Sequence, residues 1–260
     1  MCHMQFFLGG RDLEMRTIHD LIATHAPDAL HDKGLAWGAR ASHYREEILA
    51  CLARGCLAVL VELAYDLDRP DPRIVLVDHH GRRADGPTAL EQVFHLLDLP
   101  ETAWSRWHAL VAANDAGYIP ALVALGASRE EIIQVRAADR RAQGIGVDME
   151  AAGEEALRGL KTRCGGALTV ARLPHGRTAV LTDRLEPALG GPGYENLLVI
   201  SPREFNFYGA PRWVSRLDAR FPGGWTGGAS PDRKFWGHVK EGAVTEQKLL
   251  EVLEKWLNAP

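Results

Sequence analysis

The chain has 260 residues, of which 46% are hydrophobic and 25% are charged, and its formal net charge is −4. This composition is ordinary for a soluble globular protein, and no apolar run is long enough to span a bilayer. The first residues lack the basic and apolar regions of a secretory signal. The four cysteines show no paired motif, so we expect mostly buried thiols and a cytoplasmic location.

Charge is distributed unevenly along the chain. Residues 1–160 carry 16 lysines and arginines against 24 aspartates and glutamates, whereas residues 161–260 carry 14 against 10. The first part therefore has a net charge of −8 and the second part +4. An acidic first part could hold cations and a basic second part an anionic substrate, although surface charge also drifts along any chain.

In chain order, the first part alternates apolar strand-like runs with helix-like segments. Continuous apolar strands separated by helices favour a parallel sheet that is covered on both faces. A long, mostly helical stretch follows over residues 128–160, with a break near 143–148. The predicted strands are 4–8, 56–63 and 74–77, and the predicted helices are 11–25, 44–54, 88–97 and 104–114.

The second part has shorter apolar runs between glycine and proline turns, which indicates strands. A glycine-rich segment spans residues 221–237, and Thr245 is a plausible N-cap for a final helix over 245–257. We therefore predict an α/β protein with a parallel-sheet domain over 1–145, a helical linker over 146–165 and a smaller α+β domain over 166–260. The predicted strands of the second part are 167–172, 178–182, 197–201 and 204–208.

Acids and histidines follow the predicted strands of the first part. Asp12 and Glu14 come after the first strand, Glu62 ends the second, and residues 78–80 (Asp-His-His) end the third, while Asp115 ends a helical segment. Functional sites form at the carboxyl ends of parallel strands. Mixed carboxylates and imidazoles suit Mn²⁺, Zn²⁺ or Fe²⁺, and two such ions could generate hydroxide and clamp a phosphoryl group.

Each of these residues alone also fits a structural role. Asp12 could cap the following helix, Glu62 could be an edge residue that reaches water, and Asp115 could be a turn residue at a helix end. His79 or His80 could be a hydrogen-bonded core histidine. The adjacent histidines and their acidic companions together favour a functional site.

Residues 78–81 (Asp-His-His-Gly) after an apolar strand resemble the signature of the DHH phosphoesterase family, as a divergent member with a DHHA1-like C-terminal domain. That family includes RecJ-type exonucleases, nanoRNases, exopolyphosphatases and family II pyrophosphatases. The acids of residues 12–14, Glu62 and Asp115 follow the order of the family's other motifs. The stretch 223–228 resembles the glycine-rich substrate loop of its second domain.

The resemblance implies a role for each matching residue. Asp78 would orient the first histidine and His80 would face the substrate phosphate, which makes them the expected catalytic residues. Gly227, Gly228 and Arg233 would hold phosphate in the second domain. The implied metal ligands are Asp12, Glu14, Glu62 (as the bridging ligand), His79 and Asp115.

The sequence also departs from the family pattern. Leu8 stands where the family has a histidine, although His3 could substitute if the strand begins there. Glu14 and Glu62 stand where the family has aspartates. The second domain lacks the usual Gly-Gly-Gly-His, and His238 lies downstream of the glycine-rich stretch.

Two functions follow as expectations. The first is a metal-dependent phosphoesterase that hydrolyses a small nucleotide or a short single-stranded oligonucleotide, with one or two Mn²⁺ ions or with Mg²⁺, Zn²⁺ or Fe²⁺. The second is a degenerate protein that binds such a ligand without turnover. We expect no membrane partner and no duplex DNA, because no run of lysine or arginine could neutralise many phosphates. Six aromatic residues could stack bases or form a core: Phe205, Phe207, Tyr208, Trp213, Trp225 and Trp236.

Overall fold

The structure is a computed structural model. His80 and Gly81 of the Asp-His-His-Gly motif, and His3, lie outside the described residues. The residues that the structure describes are 4–36, 38–79, 86–228, 232–242 and 244–258.

The chain divides into two compact units, one formed by residues 1–127 and 137–143 and the other by residues 128–136 and 144–260. The domain boundaries expected near 145 and 165 stay a prediction. No described helix has the length and apolar character that a membrane crossing requires.

The first unit contains a four-stranded sheet in the order β2-β1-β3-β4, and all its strand pairs are parallel. This confirms the expected parallel sheet. The predicted strand over 56–63 is shorter in the structure, and β2 was not predicted. The strands are β1 Met4–Leu8, β2 Leu30–Asp32, β3 Leu57–Val61 and β4 Ile74–Val77.

Helices with side-chain N-caps accompany this sheet. Thr88 accepts a hydrogen bond from the Glu91 amide and Ser105 accepts one from the His108 amide, so each satisfies a free amide of a first turn. The helix predicted to end at Asn114 continues further, with a break discussed below. The helices are α1 Leu13–His25, α2 Arg45–Ala53, α3 Ala89–Leu96, α4 Arg106–Ala124 and α5 Arg129–Ala142, whose residues divide between the two units.

The second unit is built on a six-stranded mixed sheet in the order β5-β6-β7-β8-β10-β9. Only the β6–β7 pair among these is parallel. Its strands are β5 Lys161–Arg163, β6 Leu168–Arg172, β7 Leu197–Ile200, β8 Glu204–Gly209, β9 Trp225–Gly227 and β10 Lys234–Val239. Its helices, besides the start of α5, are α6 Val147–Arg158, α7 Ala179–Leu185, α8 Pro211–Arg220 and α9 Glu246–Leu257.

The strand predicted over 178–182 is wrong, because these residues begin helix α7. Val180, Leu181 and Leu185 are fully buried. A short apolar run without polar alternation fits a buried helix as well as a buried strand. By contrast, the predicted cap of the last helix is confirmed, since the Thr245 side chain accepts a hydrogen bond from the Lys248 amide.

The aromatic residues of the second unit divide between core and surface. Phe205, Phe207 and Trp236 are at most 1% exposed and belong to the core beside α8 and α9. Trp213 and Trp225 are half-buried. The core interpretation is therefore confirmed for the first three.

The cysteines differ from the expected set of thiols. Cys51 and Cys164 are free, but Cys56 is disulfide-bonded. The cytoplasmic location stays a prediction.

Candidate metal centre

The carboxyl edge of the parallel sheet brings three strand ends together. Leu8 pairs with Val61, and Val61 pairs with Val77, so β1, β3 and β4 end in register. The pairing continues one residue further, because the Gly9 amide donates to Val61 and the Glu62 amide donates to Val77, both at 2.9 Å. The residues that follow the strands therefore start from one edge.

Glu62 leaves this edge with an unusual backbone conformation. Its φ is 52°, in the left-handed region that costs a non-glycine residue about 1–3 kcal/mol. A Cβ atom on Gly9 would lie 2.5 Å from the Glu62 carbonyl oxygen, so only glycine fits beside it. The turn after β1 and the bend at Glu62 thus depend on each other.

The first turn of α1 supplies two carboxylates. Asp12 caps the helix, since its Oδ1 accepts a hydrogen bond from the Met15 amide at 2.8 Å. The structural role weighed for Asp12 is therefore present. Glu14 is 3% exposed, and its Oε1 accepts a hydrogen bond from the Leu90 amide of α3 at 2.8 Å.

His79 lies between two acids. Its Nδ1 is 3.4 Å from Glu62 Oε1, and its Nε2 is 2.7 Å from Asp115 Oδ2. The His79 side chain is 6% exposed. Both nitrogen atoms of the imidazole are thus directed at carboxylates.

Asp115 reaches this position from a broken helix. Gly117 (φ −162°) and Tyr118 (φ 60°) have non-helical backbone angles inside α4, and Pro120 follows them. The sequence interpretation placed the end of the helical segment at Asp115, whereas in the structure Asp115 is still helical and the break lies at Gly117 and Tyr118. The break lies two residues after Asp115 and separates its helical segment from the rest of α4.

Three of the side chains form a compact donor cluster among the described residues. One ligand atom each from Glu14, Glu62 and His79 lies within 4.8 Å of the other two. Asp115 contacts His79 of this cluster. Asp12 is close enough for the charge of Glu62 to raise its pKa. The expected roles of Asp12, Glu14, Glu62, His79 and Asp115 as metal ligands stay predictions.

Burial and mutual repulsion change the proton affinity of the acids. Burial raises the pKa of Asp12 from 3.8 to about 6, although the Met15 hydrogen bond opposes this, and the charges of Asp115, Asp139 and Glu62 add to the increase. Burial also raises the pKa of Glu14 well above its usual value, and the charge of Asp115 adds to it.

The pKa of His79 is raised, so the imidazole keeps its proton. Burial lowers the pKa of His79, but the contacts with Asp115 and Glu62 outweigh it and raise the value from 6.5 to about 11. The cluster therefore concentrates negative charge, and His79 carries the positive charge that partly offsets it.

This donor set fits a divalent cation. Two carboxylates and an imidazole are ligands that Mn²⁺, Zn²⁺ and Fe²⁺ accept. Buried carboxylates that raise one another's pKa would gain from a positive ion between them. The surplus of negative charge is the observation that favours a cation.

The remaining predicted residues of this region are only partly described. Asp78 is half-buried, and its carbonyl oxygen accepts a hydrogen bond from Gln92 Nε2 at 3.4 Å. The expected roles of Asp78 and of His80 stay predictions, and His80 lies outside the described residues. Leu8, which stands where the family has a histidine, is buried in the core, and its side chain has no donor atom for a metal.

Asp139 was missed by the sequence interpretation. It lies on α5, is 4% exposed, and accepts a hydrogen bond from the Leu13 amide through Oδ1 at 3.2 Å. It therefore supports the first turn of α1 and raises the pKa of Asp12. A mid-helix aspartate 126 residues from its partner has no local sequence signal.

The three phosphate-binding residues expected in the second unit lie on and beside β9 and β10. Gly227 contributes to a pocket of about 400 Å³ with Thr226 and Lys234. Gly228 has a φ of 104° and accepts a hydrogen bond from Lys234 through its carbonyl oxygen. Arg233 lies over the ring of Tyr194 at 4.4 Å and donates to the Tyr194 carbonyl oxygen at 3.0 Å. Their binding role stays a prediction.

Comparisons with known proteins find similarity in structure alone. No family model and no curated protein matches the chain. The solved structure of a DHH domain from a member of a ribosomal protein family is 14% identical, with 99% of this chain and 87% of that chain covered and a TM-score of 0.53. The chain therefore has the fold of a DHH domain, as the Asp-His-His triplet led us to expect.

Two further solved structures are similar at lower scores. One is an exopolyphosphatase-related protein from Bacteroides fragilis (11% identity, 98% of this chain, 91% of that chain, TM-score 0.46). The other is the exonuclease RecJ bound to manganese (11% identity, 98% of this chain, 89% of that chain, TM-score 0.47).

Proposed function

We propose that this protein is a metal-dependent phosphoesterase that hydrolyses a phosphodiester or phosphomonoester bond of a small nucleotide or a short single-stranded oligonucleotide. The observation that carries the proposal is the cluster of Glu14, Glu62 and His79 at the carboxyl edge of the parallel sheet. The DHH fold supports it, because the solved structure of a DHH domain and the Asp-His-His triplet of the sequence agree on that fold.

In this proposal Glu14, Glu62 and His79 hold the cation, with Mn²⁺ as the first choice. A bound cation would lower the pKa of a water molecule and neutralise charge on the phosphoryl group. Asp115 holds the His79 ring through its 2.7 Å contact with Nε2, which is the role of a carboxylate beside a ligating histidine. Asp12 keeps the first turn of α1 in place and adds negative charge.

The expected residues of the second unit would bind the substrate phosphate. Lys234, which we add to Gly227, Gly228 and Arg233, lies on the same pocket as Gly227. A guanidinium and backbone amides in glycine-rich turns suit phosphate oxygens. His80 would face the phosphate, as the family resemblance implies.

Two observations favour the second candidate, a protein that binds the ligand without turnover. His79 contacts a carboxylate with each ring nitrogen, so part of the negative charge is already balanced by its imidazolium. Glu14 and Glu62 also have side chains one methylene longer than aspartate, which would shift a bound ion by roughly 1 Å from a position suited to hydrolysis.

Hydrolysis assays with purified protein and Mn²⁺ test the proposal. The substrates are a dinucleotide, a short single-stranded oligonucleotide, a nucleoside 3′,5′-bisphosphate and pyrophosphate. We expect turnover of at least one of them, and loss of that turnover by roughly 100-fold in His79→Ala, on the order of the loss that follows removal of a metal-site residue.

His95→Ala is the matched control, because His95 is an exposed histidine on α3, and it should retain full activity. No hydrolysis of any substrate, together with metal-dependent binding of one of them, would support the second candidate instead. Equal activity in His79→Ala and the wild type would contradict the proposed site.

A further inference from the structure

Helix α8 of the second unit presents a row of arginines on one side. Arg212, Arg216 and Arg220 are exposed and spaced four residues apart, while Val214 and Leu217 are buried against the sheet. Residues four apart lie on the same face of a helix, about 6 Å from one to the next. The row therefore forms a linear array of positive charge.

No acid neutralises these arginines among the residues that the structure describes. Each of the three makes ring contacts, and no ion pair within 4.0 Å joins any of them to a described carboxylate. Asp218, the acid on α8, is two residues from Arg216, so it lies roughly 200° around the helix. Elsewhere in this unit Arg163 and Arg172 do pair with glutamates of α9.

Tryptophan rings contact two of the three guanidinium groups. The carbon of the Arg216 guanidinium is 4.3 Å from the ring centre of Trp256 and 5.2 Å from that of Trp213, and that of Arg212 is 4.8 Å from Trp213. Trp213 and Trp256 are stacked, with centroids 6.2 Å apart and ring planes 10° from parallel. This pairing links α8 to α9 and fixes the positions of the cations.

A stacked guanidinium remains able to bind phosphate. Stacking uses the flat face of the group, whereas its N–H donors lie around the edge and match the oxygens of a phosphate. Half-buried tryptophans beside such cations also offer surface on which bases stack. We name the surface formed by Arg212, Arg216, Arg220, Trp213 and Trp256 the Arg–Trp surface.

We propose that the Arg–Trp surface binds the backbone of single-stranded nucleic acid. A chain of phosphates complements the linear spacing of the three cations, which a single small nucleotide would not fill. An anionic membrane is less suited, because none of the exposed large hydrophobic residues in the described chain belongs to α8 or α9. This binding does not depend on the proposed hydrolysis, since the surface is distinct from the metal centre of the first unit.

Fluorescence anisotropy of a labelled single-stranded oligonucleotide of about 15 nucleotides, a length in the range of single-strand binding sites, tests the proposal in EDTA, where metal-dependent cleavage does not occur. We expect salt-dependent binding by the wild-type chain. The triple variant Arg212→Gln, Arg216→Gln, Arg220→Gln should bind about tenfold more weakly or worse. Its slope of log affinity against log salt should be smaller by about 2, since each single-strand phosphate contact contributes about 0.7.

The control variant Arg54→Gln, Arg158→Gln, Lys161→Gln removes the same charge from exposed positions elsewhere, and it should bind within about twofold of the wild type. Circular dichroism and thermal unfolding check that both variants fold, as expected for exposed residues. Absence of wild-type binding, or equal weakening by the two triple variants, would overturn the proposal. Binding to vesicles with about 30% phosphatidylserine but not to the oligonucleotide would overturn it in favour of a lipid surface.

Discussion

The two units of the chain bury charge in different ways. In the second unit Arg136 and Asp183 face each other at 3.2 Å with side chains 4% and 3% exposed, so opposite charges meet. In the first unit carboxylates of Asp12, Glu14 and Glu62 surround a site in which His79 is the positive group. In the pair the two charges compensate each other, whereas surplus negative charge destabilises the fold unless a cation binds.

The largest expected effect comes from breaking the balanced pair. Arg136→Met removes the charge that faces the buried Asp183, so the free energy of unfolding at pH 7 should fall by about 3–5 kcal/mol. Chemical denaturation measures this loss. Arg172→Met, which removes an exposed partner of Glu246, should cost less than about 1 kcal/mol. Equal losses in the two variants would contradict the importance of burial.

Removing one negative charge from the acidic site should increase the free energy of unfolding instead of lowering it. The pKa of Asp12 is about 6 in the folded state against 3.8, so between these values the folded protein binds more protons than the unfolded chain. The contribution of Asp12 to the stability of the metal-free protein therefore falls as pH rises from about 4 to 6. Asp12→Asn keeps an N-cap side chain and removes the charge.

At pH 7 without metal, Asp12→Asn should be more stable than the wild type by up to about 3 kcal/mol, because a pKa unit corresponds to about 1.4 kcal/mol. Urea unfolding in EDTA at pH 7 and pH 4.5 measures the difference, which should shrink at the lower pH. Asp28→Asn is the exposed control and should change little. A destabilised Asp12→Asn at pH 7 would show that this charge carries no penalty.

A bound cation should stabilise the first unit by supplying positive charge to its acidic site. Mn²⁺ at about 100 times its dissociation constant should raise the free energy of unfolding by about 2.7 kcal/mol. The increase should disappear in His79→Ala and persist in Glu46→Gln, an exposed acid of α2. Thermal unfolding with and without Mn²⁺ gives the comparison, and identical shifts in all three proteins would indicate nonspecific binding.

The smallest expected effect is the pH dependence of the metal affinity. Protons on Asp12, Glu14 and His79 compete with the cation, and the pKa of each is raised. Affinity should therefore increase with pH over the whole range from 5.5 to 7.5, by up to about tenfold (about 1.4 kcal/mol) per pH unit for each proton that the cation displaces. Mn²⁺ titrations at pH 5.5, 6.5 and 7.5 check this, and affinity independent of pH would contradict it.

Much of the first unit could be predicted from the sequence because its signals are local. Strands β1, β3 and β4 are continuous apolar runs, and side chains that follow parallel strands meet at one edge. Glu62 and His79 were therefore expected together before any distance was known. Such patterns could not predict strand β2, because a run of three residues fits several structures. They also could not show that α7 is a helix, because a short apolar run fits a buried helix as well as a buried strand.

Other features depend on residues that are distant in the chain or scattered along a helix. Asp139 supports α1 by accepting a hydrogen bond from the Leu13 amide, and the sequence around either residue does not predict this contact. The net charge of the second part indicated a basic region, but Arg212, Arg216 and Arg220 form no run of basic residues, so the sequence did not show where the positive charge would gather. Their spacing places them on one exposed face only if α8 is a helix whose apolar side is buried, which the structure shows.

The central claim is that Glu14, Glu62 and His79 form a metal centre, and calorimetric titration of the metal-free protein with Mn²⁺ at pH 7.5 tests it most directly. The account predicts saturable binding of one or two equivalents. Affinity should fall by about tenfold or more in Glu14→Gln, Glu62→Gln and His79→Ala, and it should be unchanged in Glu46→Gln. Absence of binding to the wild type, or equal affinity in all the variants, would contradict the claim.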